Sequence, residues 1–279
     1  MFLKIKSLFS LTRPLNVLIT FLVVIVGAVI CIGQEYSLLK IILAGISAAL
    51  IAGAGNVIND VIDLSSDKIN HPKRPLPSGK ITSPEAVIEY TLLTTVALLL
   101  SAFINIIALV IVSVTWVLLF LYSYKLKRVP LVGNLTVAFL TGLAFIYGGV
   151  AVNNAQSAII PAFFAFMINL IRELIKDMQD VEGDSQLGIK TLPQKMGFGR
   201  TKIIITSLSA LLIAATLIPF INRIYQIEFF VIVMVIVNPL LVYVIKKLFE
   251  DDSQQNLNKL SNILKLDMVF GLIAIFFGR

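Results

Sequence analysis

Cysteine and histidine are almost absent from this 279-residue chain, which has one of each, Cys31 and His71. A single cysteine excludes an intramolecular disulfide, and Cys31, set in an apolar run, reads as a small buried residue. His71 stands in a polar loop beside Pro72 with no cysteine near it, so a zinc site and a Ser/His/Asp triad both lack their parts. Charge is scarce as well: 14% of residues are charged and 58% hydrophobic, against about 25% charged in soluble domains. The longest polar stretches, 60–85 and 177–202, leave no room for a soluble domain. The net charge of +7 is not interleaved with aromatics on any polar segment, so nucleic acid is not indicated as a partner. Nor does the start read as a cleaved signal peptide: Met1 to Pro14 is a basic amphipathic lead-in to a long apolar run.

What is present is apolar sequence in lengths near the 20 or so residues that cross a bilayer. Such stretches fall at about 15–33, 38–59, 86–104, 106–124, 132–152, 158–176, 203–221, 227–245 and 263–278. The expectation is an all-α integral membrane protein of about nine transmembrane helices in a bundle. Only Asn105 parts the third run from the fourth and the last run is short, so eight or ten spans also satisfy the pattern. With nine, Lys40, Arg223 and Arg279 fall on one side of the membrane and the other 20 of the 23 basic residues on the opposite side. Lys and Arg are retained in the cytoplasm, so the N-terminus and the loops after even-numbered spans are expected there in a multi-pass cell-membrane protein, facing anionic membrane lipids.

Against this apolar background one polar pattern occurs twice. Asn56, Asp60, Asp63 and Asp67 are spaced by four, three and four, and so are Glu173, Asp177, Asp180 and Asp184. Residues so spaced line one stripe of a helix. The offset is 117 residues throughout, and each set precedes a basic cluster and a Leu-Pro, with Lys73, Arg74 and Leu76-Pro77 in one and Lys190 and Leu192-Pro193 in the other. An internal duplication follows: pseudo-repeats at about 15–130 and 131–247 within one domain of 1–279, two four-helix halves around a central cavity open to the cytoplasm, with a ninth helix at 263–278. The turn-rich cap Pro72 to Gly79 follows the first ladder, Gly183 offers the second helix an end, and Ala52-Gly53-Ala54-Gly55 lets neighbouring helices approach.

Carboxylates gathered at helix C-termini meet the negative end of the helix dipole and need a cation. Hard oxygen ligands select Mg2+, which is usually held by a few carboxylates together with substrate phosphate oxygens. A phosphorylated substrate is thereby implied, and Lys68, Lys73, Arg74, Lys125, Lys127, Arg128, Lys176 and Lys190 stand where its phosphate would need them. Arg74 and Lys176 are the best placed, Arg172 shares the face of Lys176, and Arg13 stands at the start of the first span. A diphosphate beside apolar spans suggests ionisation of an isoprenyl diphosphate donor, with the allylic cation sheltered from water and captured by a nucleophile.

Asn59-Asp60-Val61-Ile62-Asp63-Leu64-Ser65-Ser66-Asp67, followed by Arg74-Pro75-Leu76-Pro77-Ser78-Gly79, resembles the first signature of the UbiA-type intramembrane prenyltransferases, and Asp180-Val181-Glu182-Gly183-Asp184 resembles the second. The resemblance implies an all-helical bundle whose two Asp-rich motifs bind Mg2+ and an isoprenyl diphosphate. Carried over, Asn59, Asp63 and Asp67, with Asp60 beside them, match the first motif. Asp180 and Asp184 match the second, with Asp177 one turn earlier. On this basis Asp63, Asp67, Asp180 and Asp184 are the expected catalytic carboxylates, and Asn56, Asn59, Asp60 and Asp177 join them as metal ligands. A third family motif, Tyr-x-x-x-Lys, is met by Tyr122 five residues before Lys127 or Tyr124 four before Arg128.

Within the family, Arg172 to Asp184 and Lys190-Thr191-Leu192-Pro193 are most similar to the archaeal digeranylgeranylglyceryl phosphate synthases. That similarity implies transfer of geranylgeranyl to the free hydroxyl of geranylgeranylglyceryl phosphate, a lipid-like phosphorylated acceptor whose phosphate Lys176 and Arg172 would meet. No obligate protein partner is evident. An aromatic acceptor within the same family and a cation-coupled transporter are the alternatives. A CDP-alcohol phosphotransferase would carry Asp-Gly followed by Ala-Arg, which this chain does not.

Overall fold

The computed structural model describes residues 2–33, 35–181 and 190–279. The described chain is helical, with no strand in it. Its helices are α1 (Phe2–Leu11), α2 (Pro14–Cys31), α3 (Leu38–Ile62), α4 (Leu64–Asn70), α5 (Ser83–Ala102), α6 (Ile106–Tyr124), α7 (Val132–Ala151), α8 (Ile159–Gln179), α9 (Leu192–Ile221), α10 (Ile227–Glu250) and α11 (Gln254–Gly278). All but α1 and α4 are long and apolar enough to cross a membrane, nine among the described residues.

Local chemistry sets the boundaries. Asn105 ends the ambiguity between the third and fourth spans, because its side chain accepts from the Ala108 amide at 2.8 Å and caps α6. The same side chain donates to the Val150 carbonyl at 3.3 Å, which ties the turn to α7. Two spans begin well before their apolar runs. Helix α11 starts at Gln254, behind a Ser253 cap that accepts from the Asn256 amide. Helix α9 starts at Leu192, with Pro193 in its first turn, and is broken at Gly197, where φ of 80° kinks it. Polar residues in both lead-ins still alternate with core contacts at helical spacing, so hydropathy alone undercounts these helices. Gly183, expected to end the helix after the second ladder, lies outside the described residues.

The chain forms two compact units. The first comprises 1–126 and 143–159. Helix α3 is its centre, packed on α2, α5 and α6. Small residues permit this: a Cβ on Gly55 would come within 2.9 Å of the Leu119 side chain of α6, and one on Gly148 of α7 within 2.4 Å of the Val24 carbonyl of α2. Ser47 and Tyr147 share a buried hydroxyl hydrogen bond at 2.5 Å, and Asn154 donates to the Cys31 carbonyl at 2.9 Å. A satellite core of Leu11, Val57, Leu76, Ile81 and Ala86 joins α1, α3 and α5 to the loop after α4.

The second unit comprises 127–142 and 160–279. Its core is a period-3.6 set: Ile171, Leu174, Ile175 and Met178 of α8, Ile205 and Leu212 of α9, Leu241, Val244 and Leu248 of α10, and Leu257, Leu260 and Leu264 of α11. Helix α10 carries a π-helical turn at Val233–Val237, followed by Asn238, whose amide donates to Thr216 of α9 at 3.2 Å.

Candidate active site

Each unit holds one of the two acidic ladders, and in each the outermost member serves structure. Asn56 donates to the Thr12 carbonyl at 2.8 Å and thereby pins the turn between α1 and α2. Arg13, next in that turn and directly before Pro14, adopts φ 55° and ψ 73°, a left-handed conformation that costs a non-glycine residue energy and is disfavoured further before proline. This setting accompanies an Arg13 Nη2 to Asp60 Oδ1 contact of 2.6 Å, one helical turn beyond Asn56.

Helix α3 ends at Asp63, whose φ of −88° and ψ of 5° separate it from α4. The first ladder is therefore not one straight helix, as its spacing suggests, but two helical segments joined at an acid. The i to i−4 bonding continues across the joint, from the Asp63 amide to the Asn59 carbonyl at 2.9 Å and from the Asp67 amide to the Asp63 carbonyl at 2.8 Å. Asp60 and Asp67 are nearly buried, 4% and 5% exposed. Carboxylates so enclosed need partners. Arg74 supplies one, with Nη1 at 2.7 Å from Asp67 Oδ2 and 3.8 Å from Asp60 Oδ1.

Arg74 reaches both acids because its loop is packed rather than loose. Leu76 and Ile81 are buried in the satellite core. Backbone bonds from Ser78 to the Arg74 carbonyl and from Lys80 and Ile81 to the Pro75 carbonyl close the turn, with Gly79 at φ 73°. Lys68, Lys73 and His71 are exposed.

In the second unit Glu173 is a counter-ion, its carboxylate 2.8 Å from Arg172 Nη1 and 3.7 Å from Lys176 Nζ. Asp177 accepts from Asn134 of α7 at 3.0 Å, and Asn169, two turns earlier on the same stripe, donates to Thr141 of α7 at 3.1 Å. Helix α8 ends at Gln179, so Asp180 stands just beyond it, exposed, its amide still bonded to the Lys176 carbonyl at 2.9 Å. Asp184 lies outside the described residues. Lys190 is exposed, and the helix after it is tied back by Gln194, which donates to the Val181 carbonyl at 3.1 Å. Tyr122 and Lys127 are half-buried, Arg128 is exposed, and Tyr124 is 63% exposed and stacked on Phe120.

Asn134, 8% exposed, is a candidate site residue the sequence reading missed. Its signal was a lone amide in an apolar run, which only the contact with Asp177 distinguishes from ordinary helix packing.

Among the described residues no three acidic, histidine or cysteine side chains converge as a ready metal cage. The donor set nevertheless fits magnesium, which demands oxygen ligands and is commonly bound by one or two carboxylates with phosphate oxygens and water completing the shell. Asp60, Asp63 and Asp67 in one unit and Asp177 and Asp180 in the other are such donors.

Nine membrane-crossing helices with nearly buried acids gripped by arginine at one helix end, and an acidic helix terminus in the other unit, define a polytopic membrane protein built for anionic chemistry. The chain belongs to the UbiA prenyltransferase family, whose model matches residues 18–267, and is a membrane prenyltransferase. It is 33% identical over 271 residues to a digeranylgeranylglyceryl phosphate synthase of Methanosphaera stadtmanae, covering 96% of this chain and 97% of the relative. A solved structure from work on digeranylgeranylglyceryl phosphate synthase in membranes superposes with a TM-score of 0.85 at 34% identity, over 99% of this chain and 98% of that one. A UbiA homologue from Archaeoglobus fulgidus bound to GPP and Mg2+ shares the fold, with a TM-score of 0.66 at 21% identity over 96% of this chain and 99% of that one.

Proposed function

We propose that this prenyltransferase joins a geranylgeranyl group, from geranylgeranyl diphosphate, to the free hydroxyl of geranylgeranylglyceryl phosphate, forming the second ether bond of an archaeal membrane lipid. The observation that carries the reading is Arg74 held between two nearly buried carboxylates, Asp67 and Asp60. Such a guanidinium can exchange its carboxylates for diphosphate oxygens once a metal neutralises the acids. Similarity over nearly the whole chain to relatives named digeranylgeranylglyceryl phosphate synthase supports the particular substrates.

In this reading Asp60, Asp63, Asp67, Asp177, Asp180 and Asp184, with Asn59, are the ligand set for Mg2+, and Asn56, expected from its spacing to join them, instead holds the turn before α2. Bound there with the donor, Mg2+ would offset the charge of the departing diphosphate. Arg13, Arg74, Lys68, Lys127 and Lys190 add positive charge for the same oxygens. Half-buried Tyr122, rather than exposed Tyr124, is the tyrosine we assign to the donor, with Lys127 or Arg128. The allylic C–O bond breaks with its electron pair leaving on diphosphate. The acceptor oxygen then forms the new C–O bond, and its proton passes to released diphosphate or to a ladder carboxylate. The apolar faces of the spans exclude water from the cation. The duplication at 15–130 and 131–247 and the cytoplasmic placement of the N-terminus and both ladders belong to the same proposal, supported by the charge asymmetry of the loops.

The experiment is diphosphate release by purified protein in detergent with geranylgeranyl diphosphate and Mg2+. Release with geranylgeranylglyceryl phosphate and none with 4-hydroxybenzoate is the expected result. Release only with the aromatic acid would keep the family and overturn the acceptor.

A further inference from the structure

The polar stripe of α8 has two flanks. On one, α7 supplies Asn134 to Asp177 and Thr141 to Asn169. On the other, Leu260 and Leu264 of α11 share a packed core with Ile171, Leu174 and Ile175 of α8, and Lys265 of α11 feels the charges of Arg172, Lys176 and Glu173. Glu173 is the carboxylate bonded to both Arg172 and Lys176. Lys265 is exposed and, among the described residues, donates within its own helix to Asn262 at 3.1 Å. Arg172, Lys176 and Lys265 against Glu173 leave a surplus of two positive charges.

A second observation points to a missing acceptor. The Nε of Arg172 is buried and has no hydrogen-bond partner among the described residues. A buried guanidinium N–H without an acceptor is costly unless something brings one. The neighbouring lysines disfavour a cationic occupant on charge grounds, and among the described residues no carboxylate beyond Glu173 is paired with Arg172 or Lys176. An anion with about two charges and several acceptor oxygens answers all three features, and a phosphate monoester near pH 7 carries about −1.5 to −2.

We propose that Arg172, Lys176 and Lys265 form an anion site on α8 and α11 that binds the phosphate monoester of the lipid acceptor without metal, with Glu173 as the residue that positions Arg172 and Lys176. The inference rests on the lipid-phosphate acceptor of the preceding section and adds Lys265 as its specificity-determining contact. It divides the α8 stripe by charge. Carboxylates on the α7 flank serve the metal-bound donor, and cations on the α11 flank take the acceptor. A lysine here accepts a monoester better than a singly charged phosphodiester, so ordinary bilayer lipid is discriminated against by charge.

Two assays on the full-length detergent-purified protein separate the possibilities. In the first, thermal unfolding is followed in EDTA with dioctanoyl phosphatidic acid, a monoester, or dioctanoyl phosphatidylmethanol, a diester. The monoester is expected to stabilise the wild type at lower concentration than the diester, with the midpoint raised about tenfold by K265M and recovered by K265R. In the second, K265M should raise KM for geranylgeranylglyceryl phosphate about tenfold with KM for geranylgeranyl diphosphate unchanged. Because Lys265 is exposed, K265M should melt within a degree or two of the wild type without ligand. Equal responses to monoester and diester, even if dependent on Lys265, would make the site one for a bilayer headgroup and overturn the proposal. An active wild type whose K265M variant keeps both constants would overturn it as well. Lysine-dependent monoester binding in a protein inactive toward geranylgeranylglyceryl phosphate would uphold the anion site and sink the acceptor assignment instead.

Discussion

Leu76 is the residue on which the geometry of Arg74 depends, and its removal has a calculable consequence. It is 4% exposed, packed with Leu11, Val57, Ile81 and Ala86, in the loop that delivers Arg74 to Asp67. Truncation to alanine removes three carbons, worth about 0.8 kcal/mol each. Leu→Ala substitutions in cores span about 2–5 kcal/mol. This small satellite core can partly collapse, which favours the lower end, about 2–3 kcal/mol. The loss falls chiefly on local opening of the 71–82 loop, because Leu76 and Ile81 can leave this satellite core while α3 and α5 keep their packing on one another. At about 1.4 kcal/mol per decade, the open population should rise roughly 50-fold. Trypsin reads this directly. Lys80 is exposed, yet cleavage after it requires release of Ile81, whose side chain is 1% exposed and whose amide is bonded to the Pro75 carbonyl. Arg74 itself is protected by the proline that follows. Under conditions where reclosing outpaces cleavage, L76A should be cut after Lys80 roughly 50 times faster than the wild type, with KM for the prenyl donor raised in parallel. A cleavage rate within threefold of the wild type would refute the claim that Leu76 fastens this loop.

Further outcomes follow from the same contacts. D67N retains size but removes the charge that Arg74 pairs with, and prenyl transfer should fall by about 100-fold in a diphosphate-release assay; retained activity would remove Asp67 from the site. N134A withdraws the donor to Asp177 Oδ2, so the Mg2+ concentration for half-maximal activity should rise about tenfold or more while KM for the acceptor stays put. Chelation with EDTA should abolish transfer and excess Mg2+ restore it; full activity in EDTA would exclude a metal role for both ladders. Isothermal titration of Mg2+ should give weak heats alone and strong ones in the presence of inorganic pyrophosphate, and equal affinity in both cases would contradict the exchange of arginine partners. G148A places a Cβ within 2.4 Å of the Val24 carbonyl and should lower the melting temperature of the detergent-solubilised protein by several degrees; an unchanged melting curve would show that α2 and α7 can separate freely there.

The spans were legible because a bilayer demands about 20 apolar residues, and all nine expected runs coincide with described helices. The starts of two of them were not, since α9 and α11 begin 11 and nine residues before the runs at 203 and 263. There the helix is sustained by capping at Thr191 and Ser253 and by one-sided core contacts rather than by hydropathy. The ladders were legible as spacing, but their division of labour was not. Nothing in the interval between Asn56 and Asp60 says that the first holds a loop carbonyl while the second meets Arg13. Such assignments depend on how one helix is rotated against the next. Asn134 and Lys265 escaped for the same reason, as each becomes notable only through a residue on a different helix.

The pairing of acids with arginines bears on the order in which ligands bind. In the first unit Asp60, Asp63 and Asp67 stand against Arg13 and Arg74, a balance of −1. A divalent cation arriving alone would have to detach guanidiniums from nearly buried carboxylates, and the freed arginines would then repel it. Enclosed ion pairs resist this, because breaking one leaves an uncompensated charge where solvent is sparse. A diphosphate arriving with the cation changes the balance. Under the proposed function its oxygens would accept the displaced Arg13 and Arg74 while the acids turned to the metal, so that every group would keep a partner. The strained backbone at Arg13 and the packed loop at Arg74 then have a common purpose. Both hold a cation at a fixed distance from an acid that, under the proposed function, would be protected before substrate binds and released when it does.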